Sequence, residues 1–176
     1  MQRILPHKYR AVLLVAVVAV ALLPGTTERV ARADTTGTPT FVGAFACIVT
    51  NGGHVTRPAG STIIIRQGIG EQTLGILSNF LQSQTSIASV NDNQMFDVSN
   101  QWGAPFLSGG FWFTFVEVPT GVTLAQPGDS MRFTFAELLS TKVPEIFNPA
   151  VNGEPGQPLP NGPGLIFGGT CTVTAT

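Results

Sequence analysis

The two cysteines, Cys47 and Cys171, carry the most definite chemistry in this chain of 176 residues. In an oxidising compartment two thiols allow a single disulfide, and here that bond closes a loop spanning 124 positions. Constraining so long a loop predicts about 5 kcal/mol of stabilisation through the entropy of the unfolded chain. The alternative is a pair of buried free thiols. No metal is predicted, because two distant cysteines and His54 form a poor ligand set.

Hydrolytic chemistry has weaker support. His54 is the one histidine beyond residue 33, so a Ser-His-Asp triad would depend on it, and no Gly-x-Ser-x-Gly elbow is present. Its neighbours, Asn-Gly-Gly at 51–53, indicate a turn instead. Carboxylates such as Glu117 and Asp129 could act as a glycosidase pair, but they are more simply interpreted as solvated residues on the surface. We therefore predict no catalytic residue, no cofactor and no enzyme.

The segment NDNQMFDVSN at 91–100 concentrates oxygen-bearing side chains. Calcium requires six to eight oxygen ligands, which such a cluster could supply. The spacing does not match an EF-hand loop, and Asn and Asp are also the ordinary residues of hairpin turns. Calcium binding at 91–100 thus remains an alternative to a simple turn.

An aromatic cluster is the most distinctive feature, with seven aromatic residues between positions 96 and 115. If Phe111, Phe113 and Phe115 face the core, the intervening Trp112 faces outward, and Trp102 lies on a nearby loop. Exposed indole rings could stack on sugar rings or anchor a partner protein. Trp102 and Trp112 are therefore the predicted ligand-binding residues. The alternative is that Trp112 packs beneath a helix or the Pro-rich loop.

The first 33 residues have the pattern of a secretory signal peptide. Basic residues precede an unbroken apolar run over 11–23, which is shorter than the about 20 residues of a membrane span. Ala31 and Ala33 supply the small residues that a signal peptidase recognises. We predict cleavage after Ala33 and secretion of one domain, 34–176, with no stable membrane span. The alternative is a retained N-terminal anchor.

The charge of the exported part argues against a nucleic-acid partner. Residues 34–176 contain four basic and nine acidic side chains, which gives a net charge of −5. Such a surface matches polyphosphate poorly. An extracellular protein or a glycan is the expected partner.

Short apolar segments separated by Gly, Pro and Asn predict a β protein. Strands are expected over 40–50, 54–57, 61–67, 86–90, 94–98, 111–118, 131–139 and 170–174. Leu74, Leu77 and Leu81 recur at helical spacing, so one short helix is predicted over 71–84. Turns are expected at 91–93 and 119–121. The stretch 142–164 is rich in Pro and Gly and is predicted to be a long irregular loop.

The stretch VTLAQPGDSMRFTF at 122–135 resembles the turn and following strand of immunoglobulin-like modules in bacterial secreted proteins, and RPAGSTIIIRQG at 57–68 is similar. The resemblance implies an immunoglobulin-like β-sandwich whose first and last strands are joined by the Cys47–Cys171 disulfide. In antibodies the disulfide joins two central strands, with a tryptophan shortly after the first cysteine. Here Trp102 lies 55 residues beyond Cys47, which departs from that pattern.

The prediction is thus an all-β, immunoglobulin-like sandwich with one short helix and a disulfide between terminal strands. Its expected role is that of an exported, non-catalytic module that binds or scaffolds outside the cell or at its surface. The alternative is a carbohydrate-binding module that uses Trp102 and Trp112, and a secreted hydrolase ranks last.

Overall fold

Alternating apolar residues place most of the chain in β-strands in the computed structural model, which describes residues 37–151 and 154–176. The signal peptide predicted over 1–33 lies outside the described residues. The α-helix, α1, is Leu74–Ser83. The strands are β1 Thr38–Gly43, β2 His54–Arg57, β3 Ser61–Glu71, β4 Gln84–Val90, β5 Phe96–Asp97, β6 Phe106–Ser108, β7 Phe111–Leu124, β8 Ser130–Leu139, β9 Phe147–Asn148, β10 Gln157–Pro158 and β11 Gly164–Ala175.

The strands form two sheets. The six-stranded sheet has the order β10-β9-β3-β7-β6, and β1 adds to β3 in parallel. The five-stranded sheet has the order β2-β11-β8-β4-β5, with β2 parallel to β11. The chain therefore crosses between sheets after β1, and again after β2. The predicted combination of two sheets and one short helix is confirmed.

The two sheets share one hydrophobic core. On β3 the side chains of Ile63, Ile65 and Ile69 are fully buried, and on β8 those of Phe133 and Phe135 are buried in the same cluster. Successive side chains of a strand point to opposite faces, so these buried residues all lie on the inner face of their strand.

The disulfide between Cys47 and Cys171 is present, with a Cα–Cα distance of 5.8 Å and both residues fully buried. The prediction that Cys47 lies on a strand is wrong, because β1 ends at Gly43 and Ala46–Thr50 forms a π-helical turn. This turn carries the chain from one sheet to the other. The bond therefore ties the crossover to the last strand and does not join two terminal strands.

The predicted helix is confirmed, with ends one to three residues inside the expected range. Thr73 caps it, because its hydroxyl accepts a hydrogen bond from the backbone N–H of Ile76 at 3.2 Å. Leu77 and Phe80 are fully buried on its inner side. Its contacts are with β3 and β7, so α1 covers one end of the six-stranded sheet.

Two irregular regions differ from expectation. The turn predicted at 119–121 does not form, because β7 continues through Pro119 with a bulge opposite the pair Thr62 and Ile64. The stretch 142–164 is not wholly irregular, because it contains β9 and β10, which pair and extend the six-stranded sheet. Asn148 anchors β9, since its side-chain oxygen accepts a hydrogen bond from Gln67 at 3.1 Å.

Candidate functional site

The face of β7 that points outward carries phenylalanines. Of the two orientations that the sequence leaves open, the one with Phe111, Phe113 and Phe115 facing the core does not occur: Phe111 is 40% exposed and the other two are half-buried. The inward side chains are those of the alternate positions, Trp112, Thr114, Val116 and Val118. A period of two defines two faces without saying which is buried, and both faces of β7 are apolar. Glu117 occupies the same set of alternate positions as the three phenylalanines, and its charge indicates that this is the outward face.

The outward phenylalanines lie across the neighbouring strand. Phe115 pairs with Gly68 of β3, and Phe113 pairs with Gly70. A Cβ atom on Gly68 would lie 2.5 Å from Cε1 of Phe115, and one on Gly70 would lie 2.6 Å from Cε1 of Phe113. Glycine at these two positions therefore lets each ring lie close over the backbone of β3.

This packing predicts opposite effects of two glycine substitutions. Gly68→Ala should lower the free energy of unfolding by about 1 kcal/mol, because the new methyl group displaces the Phe115 ring. Gly75→Ala in α1 should raise it by about 0.5–1 kcal/mol, since the nearest atom to its Cβ is 3.9 Å away. Urea unfolding of both variants measures the effects. Equal stabilisation by both would show that the ring does not rest on β3.

Aromatic rings continue across the sheet from β7. Phe106 of β6 is 43% exposed, stacks on Phe115 with a centroid distance of 5.7 Å, and lies 5.9 Å from Phe113. Phe111 follows at 6.3 Å from Phe113. We call these four residues, Phe106, Phe111, Phe113 and Phe115, the aromatic platform. Such a contiguous exposed aromatic surface is typical of interaction sites.

An ion pair borders the platform. Arg66 of β3 forms a salt bridge with Glu117 of β7, with an Nε–Oε1 distance of 2.9 Å, and the Glu117 side chain is 45% exposed. The guanidinium lies 3.3 Å from the ring centroid of Phe41 and 5.6 Å from that of Phe115. Hydrogen-bond donors and acceptors thus stand directly beside flat apolar rings.

Two concave regions flank the platform. The first, of about 310 Å³, is lined by Gln101, Gly103, Ala104, Phe106, Phe115 and Glu117. The second, of about 240 Å³, is lined by Gly70, Glu71, Gln72, Phe111, Glu145, Ile146 and Phe147. We call them the side cavity and the end cavity. Each combines platform rings with polar side chains, as ligand sites commonly do.

The end cavity contains a buried carboxyl group. Glu71 is 2% exposed, and its Oε1 accepts a hydrogen bond from the backbone N–H of Phe147 at 3.3 Å. Burial raises the pKa of Glu71 to about 8, and the charge of Glu145 acts in the same direction. This carboxyl group is therefore largely protonated at neutral pH.

The two tryptophans predicted to bind ligand are both half-buried and packed against the core. Trp102 donates a hydrogen bond from Nε1 to Oγ of Ser86 at 3.2 Å, and its ring meets Phe80 edge-on at 5.3 Å. Trp112 points inward from β7. Ligand binding by Trp102 and Trp112 stays a prediction, and the platform phenylalanines form a separate set of candidates.

The other candidate residues have structural partners. Nε2 of His54 lies 3.2 Å from Oγ1 of Thr174, and Asp129 accepts a hydrogen bond from the Gln126 N–H at 3.0 Å. Glu117 is paired with Arg66, as described above.

In the segment 91–100, Asn91 and Asp92 adopt positive φ in a tight turn, and Asp92 pairs with Arg132 at 2.9 Å. Hydrogen bonds from Ser99 hold the pKa of Asp97 below its ordinary value. These contacts are those of a hairpin turn, and among the described residues no group of three His, Cys, Asp or Glu side chains is placed to hold a metal.

Glu137 is a residue that the sequence analysis did not single out. It lies on β8 between Ser86 of β4 and Phe167 of β11, is fully buried, and neither carboxyl oxygen has a hydrogen-bond partner. Burial raises the pKa of Glu137 to about 8. The sequence pattern of β8 could have indicated this burial, because Glu137 occupies the same set of alternate positions as the buried Phe133 and Phe135.

Comparison of the chain with protein-family models, with curated proteins and with solved structures finds no significant match. Within the described residues, no helix is both long and apolar enough to span a membrane. The platform and its two cavities are therefore the features whose chemistry can indicate a function.

Proposed function

We propose that this protein is an exported, non-catalytic, immunoglobulin-like β-sandwich module that binds a carbohydrate chain through the aromatic platform. The disulfide supports export, because such bonds persist in oxidising compartments. The two sheets around one core support the sandwich. In this role the module would bind or scaffold outside the cell or at its surface.

The stacked pair Phe106 and Phe115 is the observation that carries the proposal. Their rings are stacked, with centroids 5.7 Å apart and planes inclined by 28°, and both rings line the side cavity together with Glu117 and Gln101. A pyranose ring has an apolar C–H face, which packs on the negative face of an aromatic ring, and hydroxyl groups at its edge. Partly exposed aromatic rings flanked by an amide and an ion pair satisfy both parts of such a ligand.

A protein partner is a weaker fit for this surface. Hot spots in protein interfaces usually combine an aromatic or Arg anchor with a pocket that excludes water. The platform instead leaves its rings partly exposed at the surface, next to the exposed side chain of Glu117. Carbohydrate is therefore favoured by the exposed rings together with their polar border, rather than by the apolar area alone.

The test compares two exposed phenylalanines. Phe106→Ala should weaken glycan binding about tenfold, because one aromatic contact is worth about 1.5 kcal/mol. Phe96→Ala is the matched control, since Phe96 is 40% exposed but lies on β5 of the other sheet. Candidate ligands come from a glycan array, and isothermal titration calorimetry gives the affinities.

The controls decide between the alternatives. Loss of binding in Trp112→Ala with full binding in Phe106→Ala would favour the predicted tryptophan site. Equal losses in Phe106→Ala and Phe96→Ala would argue against the platform. An array on which no glycan binds would refute the carbohydrate proposal.

A further inference from the structure

The end cavity continues the platform at the end nearest α1. Phe111 is both the last ring of the platform and a wall of the cavity, and Phe147 stands across from it as a second lining ring, 37% exposed. A sugar chain that stacks along the platform therefore presents its next substituent to this cavity. The volume of about 240 Å³ accommodates one substituent or one sugar unit, and no longer segment.

The lining of the cavity has one sign of charge. Its ionisable side chains are Glu71 and Glu145, both of them carboxyl groups, and the other described lining residues carry no charge. The backbone N–H of Phe147 fixes the Glu71 carboxyl group at 3.3 Å. Two carboxyl groups between two aromatic rings favour an organic cation, because ring faces and carboxylates both attract positive charge. An anionic ligand would be repelled there.

We propose that the end cavity binds the protonated amino group of an amino sugar whose neighbouring sugar unit stacks on the platform. This inference rests on the proposed function, because the platform supplies the carbohydrate specificity. The cavity adds the preference for an amino group over a hydroxyl group. Together they select a cationic polysaccharide from neutral ones.

The proposal implies a proton linkage. Because the pKa of Glu71 is raised to about 8, its carboxyl group carries a proton at pH 7 when no ligand is bound. The charged group that acts on Glu71 is Glu145, in the segment preceding β9. A bound ammonium group stabilises the ionised form of Glu71, so binding should release a proton. In Glu71→Gln the side chain cannot ionise, so ligand binding should release no proton from this position.

The experiment compares two tetrasaccharides that differ only in the amino group, β-1,4-linked tetraglucosamine and cellotetraose. At pH 6.5 we expect the wild-type protein to bind tetraglucosamine at least tenfold more tightly. Calorimetry in two buffers of different ionisation enthalpy should show proton release with tetraglucosamine alone. In Glu71→Gln and Glu145→Gln the affinity ratio should fall toward one. Asp92→Asn, which removes an exposed carboxylate from the other sheet, should keep the ratio.

The outcomes separate the two proposals. Equal binding of both tetrasaccharides, or a ratio that neither cavity variant lowers, overturns the amino-sugar inference and leaves the platform proposal standing. Binding of neither ligand overturns both. Choline, whose charge is independent of pH, probes the cavity alone, and its binding should be lost in Glu71→Gln. Choline binding that persists in that variant also contradicts the inference.

Discussion

Reduction of the Cys47–Cys171 bond is expected to lower the free energy of unfolding by about 5 kcal/mol. The bond closes a loop of 124 positions, so its loss returns a large conformational entropy to the unfolded chain. A domain of ordinary stability has about 5–15 kcal/mol in total, so the reduced protein should be close to unfolding at 37 °C. Both sulfur atoms are buried, and β11 and the crossover turn should separate first.

Guanidinium unfolding of three forms measures this effect: the oxidised wild type, the reduced wild type, and the double variant Cys47→Ala, Cys171→Ala. The reduced form keeps both sulfur atoms, so its difference from the oxidised form isolates the cross-link. The double variant additionally loses their packing and should be less stable still. A reduced protein within about 1 kcal/mol of the oxidised one would contradict the loop-entropy explanation.

Glu137→Gln is expected to stabilise the protein at neutral pH and to reduce the dependence of its stability on pH. The unfolded chain loses the Glu137 proton above about pH 4.5, whereas the folded chain keeps it up to about pH 8. Raising the pH through this window therefore favours the unfolded state. The contribution is about 1.4 kcal/mol per pH unit, and the variant should be more stable by about 3 kcal/mol at pH 7.

Thermal and urea unfolding between pH 4 and pH 8.5 test this prediction. At pH 4, where the carboxyl group is protonated in both states, Glu137→Gln should resemble the wild type. Glu137→Met should be more stable than either across the range, because it leaves no polar atom unpaired in the core. Part of the slope should survive in both variants, since Glu71 has its own raised pKa. Parallel curves for the wild type and Glu137→Gln would refute the buried, protonated state.

Much of the fold could be predicted because it depends on local patterns. The helix follows from the spacing of Leu74, Leu77 and Leu81, and the two faces of β8 follow from the alternation of Phe133 and Phe135 with Arg132 and Thr134. The disulfide needed no geometry, since two cysteines allow one pairing. Short elements such as β9 and β10 were missed, because two-residue strands have no periodicity and form through pairing alone.

The candidate site was harder to predict because it depends on which face of a strand the second sheet covers. The sequence shows the aromatic cluster around Phe111 to Phe115, but it leaves open which of the alternating residues face outward, and it directs the ligand-binding prediction to Trp102 and Trp112. Nothing in the sequence marks Gly68 and Gly70 as important positions, although the absence of side chains there lets the rings of Phe115 and Phe113 lie close over β3. Their role exists only because β3 pairs with β7 in this register.

The sequence by itself determined the β class, the position of the helix and the identity of the covalent link, because propensity, periodicity and pairing arithmetic act within short segments. The tertiary structure alone decided that the phenylalanines face outward, that Cys47 sits on a crossover turn, and that Glu137 is enclosed without a partner. Each of these depends on contacts between residues far apart in the chain. A strand with two apolar faces can bury either one, and the opposing sheet makes the choice.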